Sequence, residues 1–326
     1  MVKLRNRLLI GLLLFVAAIS FSCDGNVAGP RFKGDTYSLA ALLMVGSPID
    51  NENPVFLTKS NNIEEFEFTE LFVTDANIKI YELSGNDTTA VIELQPVLDM
   101  GQNDQLTVPK IKYVDLSGYI VKANQRYRIE AEIPGYDKLV WAETVTPKQV
   151  QPVEDFNNLN IEGEGYSLNP ATTDSISFED LGESYPLAVN TGDFTGSLNM
   201  YLEIYCLEEF STDLEFTIPI FGITYADSSI AWIYNSSGDS MRRIRLFAKY
   251  LALNYPEAGG NHALLRDFKQ GVAFYGRYRF TIYSIDDNYY RFLYNNEGYL
   301  NGGVHNALGY FGSASGAKLY TKVVKS

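Results

Sequence analysis

Between residues 126 and 133 the chain reads RYRIEAEI. Tyr127, Ile129, Ala131 and Ile133 fall on one parity, and Arg126, Arg128, Glu130 and Glu132 on the other. Successive side chains of an extended strand point to opposite faces, so the pattern sets an apolar face on a core and a charged face in water. A helix would scatter the same residues around its axis. The segment is limited to a half-buried strand of a layered β fold.

The same period recurs along the chain. Strands are expected at 55–58, 76–83, 111–114, 126–133 and 139–145, with turns at Gly85-Asn86-Asp87, Gly118 and Gly135. Further strands are expected at 175–178, 198–207, 214–221, 230–234, 277–285 and 317–324, and Pro219 makes 214–221 an edge strand. Residues 243–254 fit a strand or a helix equally. A helix is expected at 287–297, capped by Asp286 and stopped at Gly298, and a shorter one at 262–269. A chain of 326 residues corresponds to about two domains at ~150 residues each. The expected fold is mainly β with two β-rich domains. An immunoglobulin- or fibronectin-like sandwich occupies 37–147, a boundary loop 148–170, and a second β domain with one or two short helices 171–326.

Residues 1–22 have the three-part layout of a secretory signal. Lys3, Arg5 and Arg7 precede an apolar run at 8–19, and Ser20-Phe21-Ser22 forms a small-residue exit. The run is shorter than the about 20 residues that span a bilayer, so a cleaved signal is expected rather than a permanent helix. Cys23 follows at once, and 23–36 is a polar, Gly- and Pro-containing tether. The arrangement resembles the lipobox of bacterial lipoproteins, which implies that Cys23 is the site of lipid attachment, with acyl chains such as palmitate. The rival is an ordinary signal cut near Ser22 that releases a soluble protein. Several acyl chains would anchor firmly, at about 0.8 kcal/mol per buried CH₂.

Other segments extend this likeness: VFLTKS at 55–60, DANIKI at 75–80, Gly118-Tyr119, YRIEA at 127–131, YSIDDNYYRF at 283–292 and LGYFG at 308–312. Together they resemble a Bacteroidota lipoprotein family, domain of unknown function 4249. The resemblance implies a β-rich outer-membrane lipoprotein, often encoded near TonB-dependent transporters. It supplies no catalytic residues.

The net charge is −14, and without residues 1–22 the 23 basic and 40 acidic residues leave −17. Such acidity argues against nucleic-acid binding, which needs basic patches. His262 and His305 are far apart, and no metal-ligand spacing accompanies them. Neither a metal nor a cofactor is expected. Gly312-Ser-Ala-Ser-Gly316 carries Ala where a nucleophile elbow needs Ser, and Ser315-Gly-Ala-Lys318 matches S-x-x-K without its companion motifs. Asp286-Asp287-Asn288 reads as a helix cap rather than a calcium loop. Cys206 lies on the apolar parity of its strand and reads as a small core residue.

The 23 Tyr and 19 Phe crowd toward 274–311, where strand propensity competes with a contact surface as the reason. Glycines at 301–312 read as a tight loop whose backbone closely approaches something, the protein's own core first and a ligand or partner second. The functional reading is a non-enzymatic, lipid-anchored binding or scaffolding module of the outer membrane. Its partners are the membrane, through the lipid, and a transporter protein or a glycan. The rivals are a hydrolase of envelope glycans or peptides, and a carbohydrate-binding lipoprotein.

Overall fold

A computed structural model describes residues 36–60, 68–99, 110–152, 175–179, 181, 187–190, 199–208, 215–217, 243–247, 252–255, 262–265, 269–294 and 302–325. The expected signal, Cys23, all of the tether but Thr36, and the strand at 230–234 lie outside them. So does most of the strand at 214–221, of which Phe216 forms a bridge to Phe274.

The first strands are β1 (Tyr37–Met44), β2 (Phe56–Lys59), β3 (Asn77–Ser84), β4 (Asp87–Asp99), β5 (Lys110–Asp115), β6 (Arg126–Glu132) and β7 (Val140–Val145). β3 to β7 form an antiparallel sheet in the order β5-β4-β3-β6-β7. Its apolar parity is the one read from the sequence: Ile78, Ile80, Tyr127, Ile129, Ala131, Val140 and Ala142 are fully buried. They pack against Leu39, Ala41, Leu43, Leu57 and Phe311 of a second sheet, which makes this half a sandwich. Each buried Ile, Leu or Val side chain among them contributes about 1.5–3 kcal/mol.

The buried tyrosines are also bonded. Tyr113 Oη donates to Val73 O at 2.9 Å and accepts from Ala76 N, while Tyr127 Oη accepts from Lys122 N at 2.9 Å. Both edges of the five-stranded sheet are closed. β5 is bridged by Val55, and Asp115 N donates to Ile49 O. Along β7, His305 bridges Trp141, and Asn306 and Asn288 donate to Leu139 O and Glu143 O.

The remaining elements are β8 (Gln151–Pro152), β9 (Ser175–Ser177), β10 (Leu187–Asn190), β11 (Met200–Cys206), β12 (Arg243–Phe247), β13 (Ala252–Tyr255), β14 (His262–Leu265), β15 (Gly276–Ile285), α1 (Asp287–Tyr294) and β16 (Leu308–Val324). The second sheet runs β12-β11-β15-β16-β1-β2, with β9 beside β16, and a small sheet runs β13-β14-β10-β8. β16 is shared between the two halves. Its first part lies parallel to β1, from Ser38↔Leu308 to Met44↔Ala314, and places Phe311 in the sandwich core. Its second part pairs with β15 and places Ala317, Leu319 and Val323 in a separate core with Leu202, Ile204, Phe280 and Ile282. Sheet pairing thus crosses the sequence boundary expected at 148–170.

Three expectations change. Residues 262–265 form a strand rather than the start of a helix, because β10 and β13 pair with them on both sides. Residues 243–254 resolve into the strands β12 and β13 up to the described limits. The glycine segment is strand, not loop, from Leu308 onward. Its close approach to the protein's own core holds: a Cβ on Gly309, where φ is +103°, would lie 2.1 Å from Leu39 O.

Candidate functional site

Among the residues singled out from sequence, most of those described have structural work. Cys206 is fully buried in the second core, beside the Tyr278 hydroxyl, which burial and the thiol push up in pKa. Ser315 and Lys318 point to opposite faces of β16, and Ser315 Oγ accepts from Val150 N at 3.0 Å. Asp286 caps α1 as expected. Its Oδ1 accepts from Tyr289 N and Ser313 N, and its Oδ2 accepts from Thr144 Oγ1 at 2.6 Å. Burial pushes the Asp286 carboxyl above the ordinary carboxylate range, against those hydrogen bonds. Cys23 lies outside the described residues, and His262 is described only through its backbone. Among the described residues, no group of three His, Cys, Asp or Glu is placed to hold a metal ion.

The aromatic segment divides. Phe274, Tyr278, Phe280 and Phe311 are core residues. Tyr283, Tyr290, Phe292, Tyr294 and Tyr310 form a half-buried cluster around α1, with Phe292 and Tyr310 ring centroids 4.4 Å apart.

Among the described residues, the most organised open surface is the outer face of the five-stranded sheet. Strand register arranges it in rows. Glu93, Lys79, Glu130, Trp141 and His305 stand side by side in the first. Val91, Tyr81, Arg128 and Glu143 form the second, and Thr88, Leu83, Arg126 and Val145 the third. At about 4.8 Å between strands and two residues between rows, the four-strand grid measures roughly 14 by 14 Å.

Its side chains are held by one another. Lys79 pairs with Glu93 at 3.0 Å, and Arg128 reaches Glu130 at 2.8 Å and Glu143 at 3.7 Å. Arg126 Nε and Nη2 both donate to Glu143 Oε2, at 3.0 and 2.6 Å. The Arg128 guanidinium lies 4.7 Å from the centre of the Trp141 ring, and the His305 ring stacks on the same indole at 4.0 Å and 11°. Exposed pairs of this kind contribute only about 0–1 kcal/mol each, so their effect is orientation more than stability. Burial and the neighbouring Glu130 carboxylate push the Tyr81 phenol up in pKa.

A depression of about 480 Å³ opens between Tyr81, Leu83, Gly85, Asn86, Thr88, Arg126, Arg128, Glu130 and Glu143. Its volume falls in the range of small-molecule sites, about 300–1,000 Å³, although its walls are polar and its mouth is wide. The sequence places Arg126, Arg128 and Glu130 on a solvated parity but does not show that they form a site. The signal that points to this face is Tyr81, an aromatic on the outward parity of β3 that lines the depression, with Trp141 beside it on β7.

Residues 34–319 match the model of a family described as Domain of unknown function (DUF4249). No curated protein matches the chain. The matched span runs from just before β1 into the second part of β16, so it takes in both cores and the outer face, and this chain belongs to the DUF4249 family.

Proposed function

We propose that the chain is a lipid-anchored cell-envelope protein that acts as a non-enzymatic binding or scaffolding module, accessory to a TonB-dependent outer-membrane transporter. The observation that carries the binding role is the outer face of the five-stranded sheet. There three cations and three carboxylates pair with one another across rigid strands, and the Arg128 guanidinium lies over the Trp141 ring. A site whose side chains are already oriented loses little conformational freedom on binding. The anchor rests on the signal-like residues 1–22, on Cys23 and on the lipoprotein resemblance.

Two measurements test the reading. Cys23→Ala should move the protein from the membrane to the soluble fraction; membrane association that survives washing would remove the lipid anchor from the proposal. Affinity capture of the tagged native protein from detergent-solubilised membranes should recover an outer-membrane protein. Recovery of nothing above a control with untagged protein purified in parallel would remove the scaffolding role.

A further inference from the structure

We infer that the outer face of the five-stranded sheet is a binding site for a neutral saccharide. The inference rests on the binding-module reading above and names the ligand class of the same surface. The first argument is charge. The chain as a whole is strongly acidic, at −14, yet this face carries Lys79, Arg126 and Arg128 against Glu93, Glu130 and Glu143. The six charges of the three rows balance and each is engaged with an opposite one, while Glu132 of the same face lies one residue pair beyond the first row and accepts from Asn77 Nδ2 at 3.1 Å. A charged ligand finds no unpaired opposite charge in these rows and can only exchange with a pair worth about 0–1 kcal/mol. A polyhydroxylated neutral ligand need not exchange, because a hydroxyl donates to a carboxylate and accepts from a guanidinium without displacing either.

The second argument is shape and chemistry. The depression is lined by donors and acceptors of both kinds, from Arg126, Glu143, Asn86 and Thr88, with Tyr81 as a planar wall and Leu83 as an apolar one. Sugar rings present the same mixture, with hydroxyl edges and an apolar C–H face that lies against an aromatic ring. The site is open and about 480 Å³ in volume, so it takes a segment of a chain from the side rather than enclosing a small molecule.

The test is native electrophoresis of the full mature chain, in detergent, through gels containing dextran, laminarin, xyloglucan or yeast mannan. Polygalacturonate serves as the charged comparator. Retardation by at least one neutral polysaccharide is expected. Tyr81→Ala and Arg126→Ala should each weaken that association about tenfold. Arg277→Ala changes net charge by the same amount as Arg126→Ala but sits on β15, and it should leave retardation unchanged. Melting curves for each variant separate lost binding from lost folding. If Tyr81→Ala does not fold, Arg126→Ala carries the test alone, because Arg126 is well exposed.

Retardation by none of the neutral polymers overturns the inference. So does retardation by polygalacturonate alone, or retardation that both variants retain. If no polysaccharide binds but an outer-membrane protein is captured, and Arg126→Ala abolishes that capture, the saccharide is wrong and the binding module stands. If neither is seen, both fall.

Discussion

Asp286 offers a sharp test of how the two halves are joined. Its carboxylate collects hydrogen bonds from Tyr289 N on α1, Ser313 N on β16 and Thr144 Oγ1 on β7. Replacing it with Ala removes the helix cap, at about 1 kcal/mol, and leaves the buried Ser313 N–H and Thr144 hydroxyl to find other partners. Together these amount to about 2–4 kcal/mol. Asp286→Asn is different. The amide oxygen still accepts from Tyr289 and Ser313. The amide NH₂ donates to Thr144 Oγ1, whose own proton turns to Ser313 Oγ, 2.9 Å away. At neutral pH this variant should lie within about 1 kcal/mol of the parent, because burial already disfavours the charge.

The pH dependence gives the sign. The folded carboxyl binds its proton more tightly than the unfolded one, whose pKa is about 3.9. Protonation therefore favours the fold: the contribution is complete below about 3.9 and is lost as pH rises through the folded value. Urea unfolding of the parent, Asp286→Asn and Asp286→Ala, each at several pH values from acid to neutral, measures this directly. The parent should gain on Asp286→Asn as the solution is acidified. If Asp286→Asn is as unstable as Asp286→Ala at neutral pH, or if the gap moves the other way, the charge itself is the stabilising element and the reasoning fails.

Two further predictions concern the sandwich. Gly309→Ala places a methyl group against Leu39 O and should cost about 3 kcal/mol or more. Gly46→Ala, whose added Cβ meets nothing within 4 Å at φ +78°, should cost about 1 kcal/mol, and equal urea midpoints for the two would refute the steric account. Glu82 is buried; burial alone would raise its pKa, but hydrogen bonds from Tyr119 and Lys122 outweigh it and hold the carboxyl low. Glu82→Gln should therefore destabilise by about 1–3 kcal/mol at neutral pH. That difference should shrink as pH falls below the unfolded value of about 4.3 and through the lowered folded one; a pH-independent difference in thermal melts would refute it.

The strands that alternate were legible because burial on one face leaves a period that side-chain chemistry displays. Tyr127, Ile129 and Ala131 are the plainest instance. β4 shows that period only briefly: Ile92 and Leu94 are buried between exposed Val91, Glu93 and Gln95, and Pro96 interrupts it. The proline is tolerated because pairing with β3 begins at Leu94, leaving β5 as the only neighbour at Pro96. His262–Leu265 took its conformation from β10 and β13, which local sequence does not reveal. The same holds for the candidate site. Arg128 was visible as an outward residue, but Trp141 was read only as part of a strand at 139–145; His305 comes 164 positions after it, and only the fold brings its ring onto the indole. The long reach of β16 was also hidden, because its small buried residues Gly309, Ser313, Ala314 and Ser315 resemble a loop in composition.

The parallel pairing of β1 with β16 has a mechanical consequence. Tyr37 begins β1, immediately after the N-terminal segment, so a pull applied through that segment runs along the strand axis. The bonds that resist it are those between Ser38–Met44 and Leu308–Ala314 on one side and between Tyr37–Ala40 and Phe56–Lys59 on the other. Under a load directed along β1 these bonds are in shear and yield together rather than opening one at a time from an end. Resistance to such a pull is set by the unfolding barrier rather than by equilibrium stability. The first described strand of the chain is thus built into its sheet as a strain-bearing joint, with the shared strand behind it spreading the force into both cores.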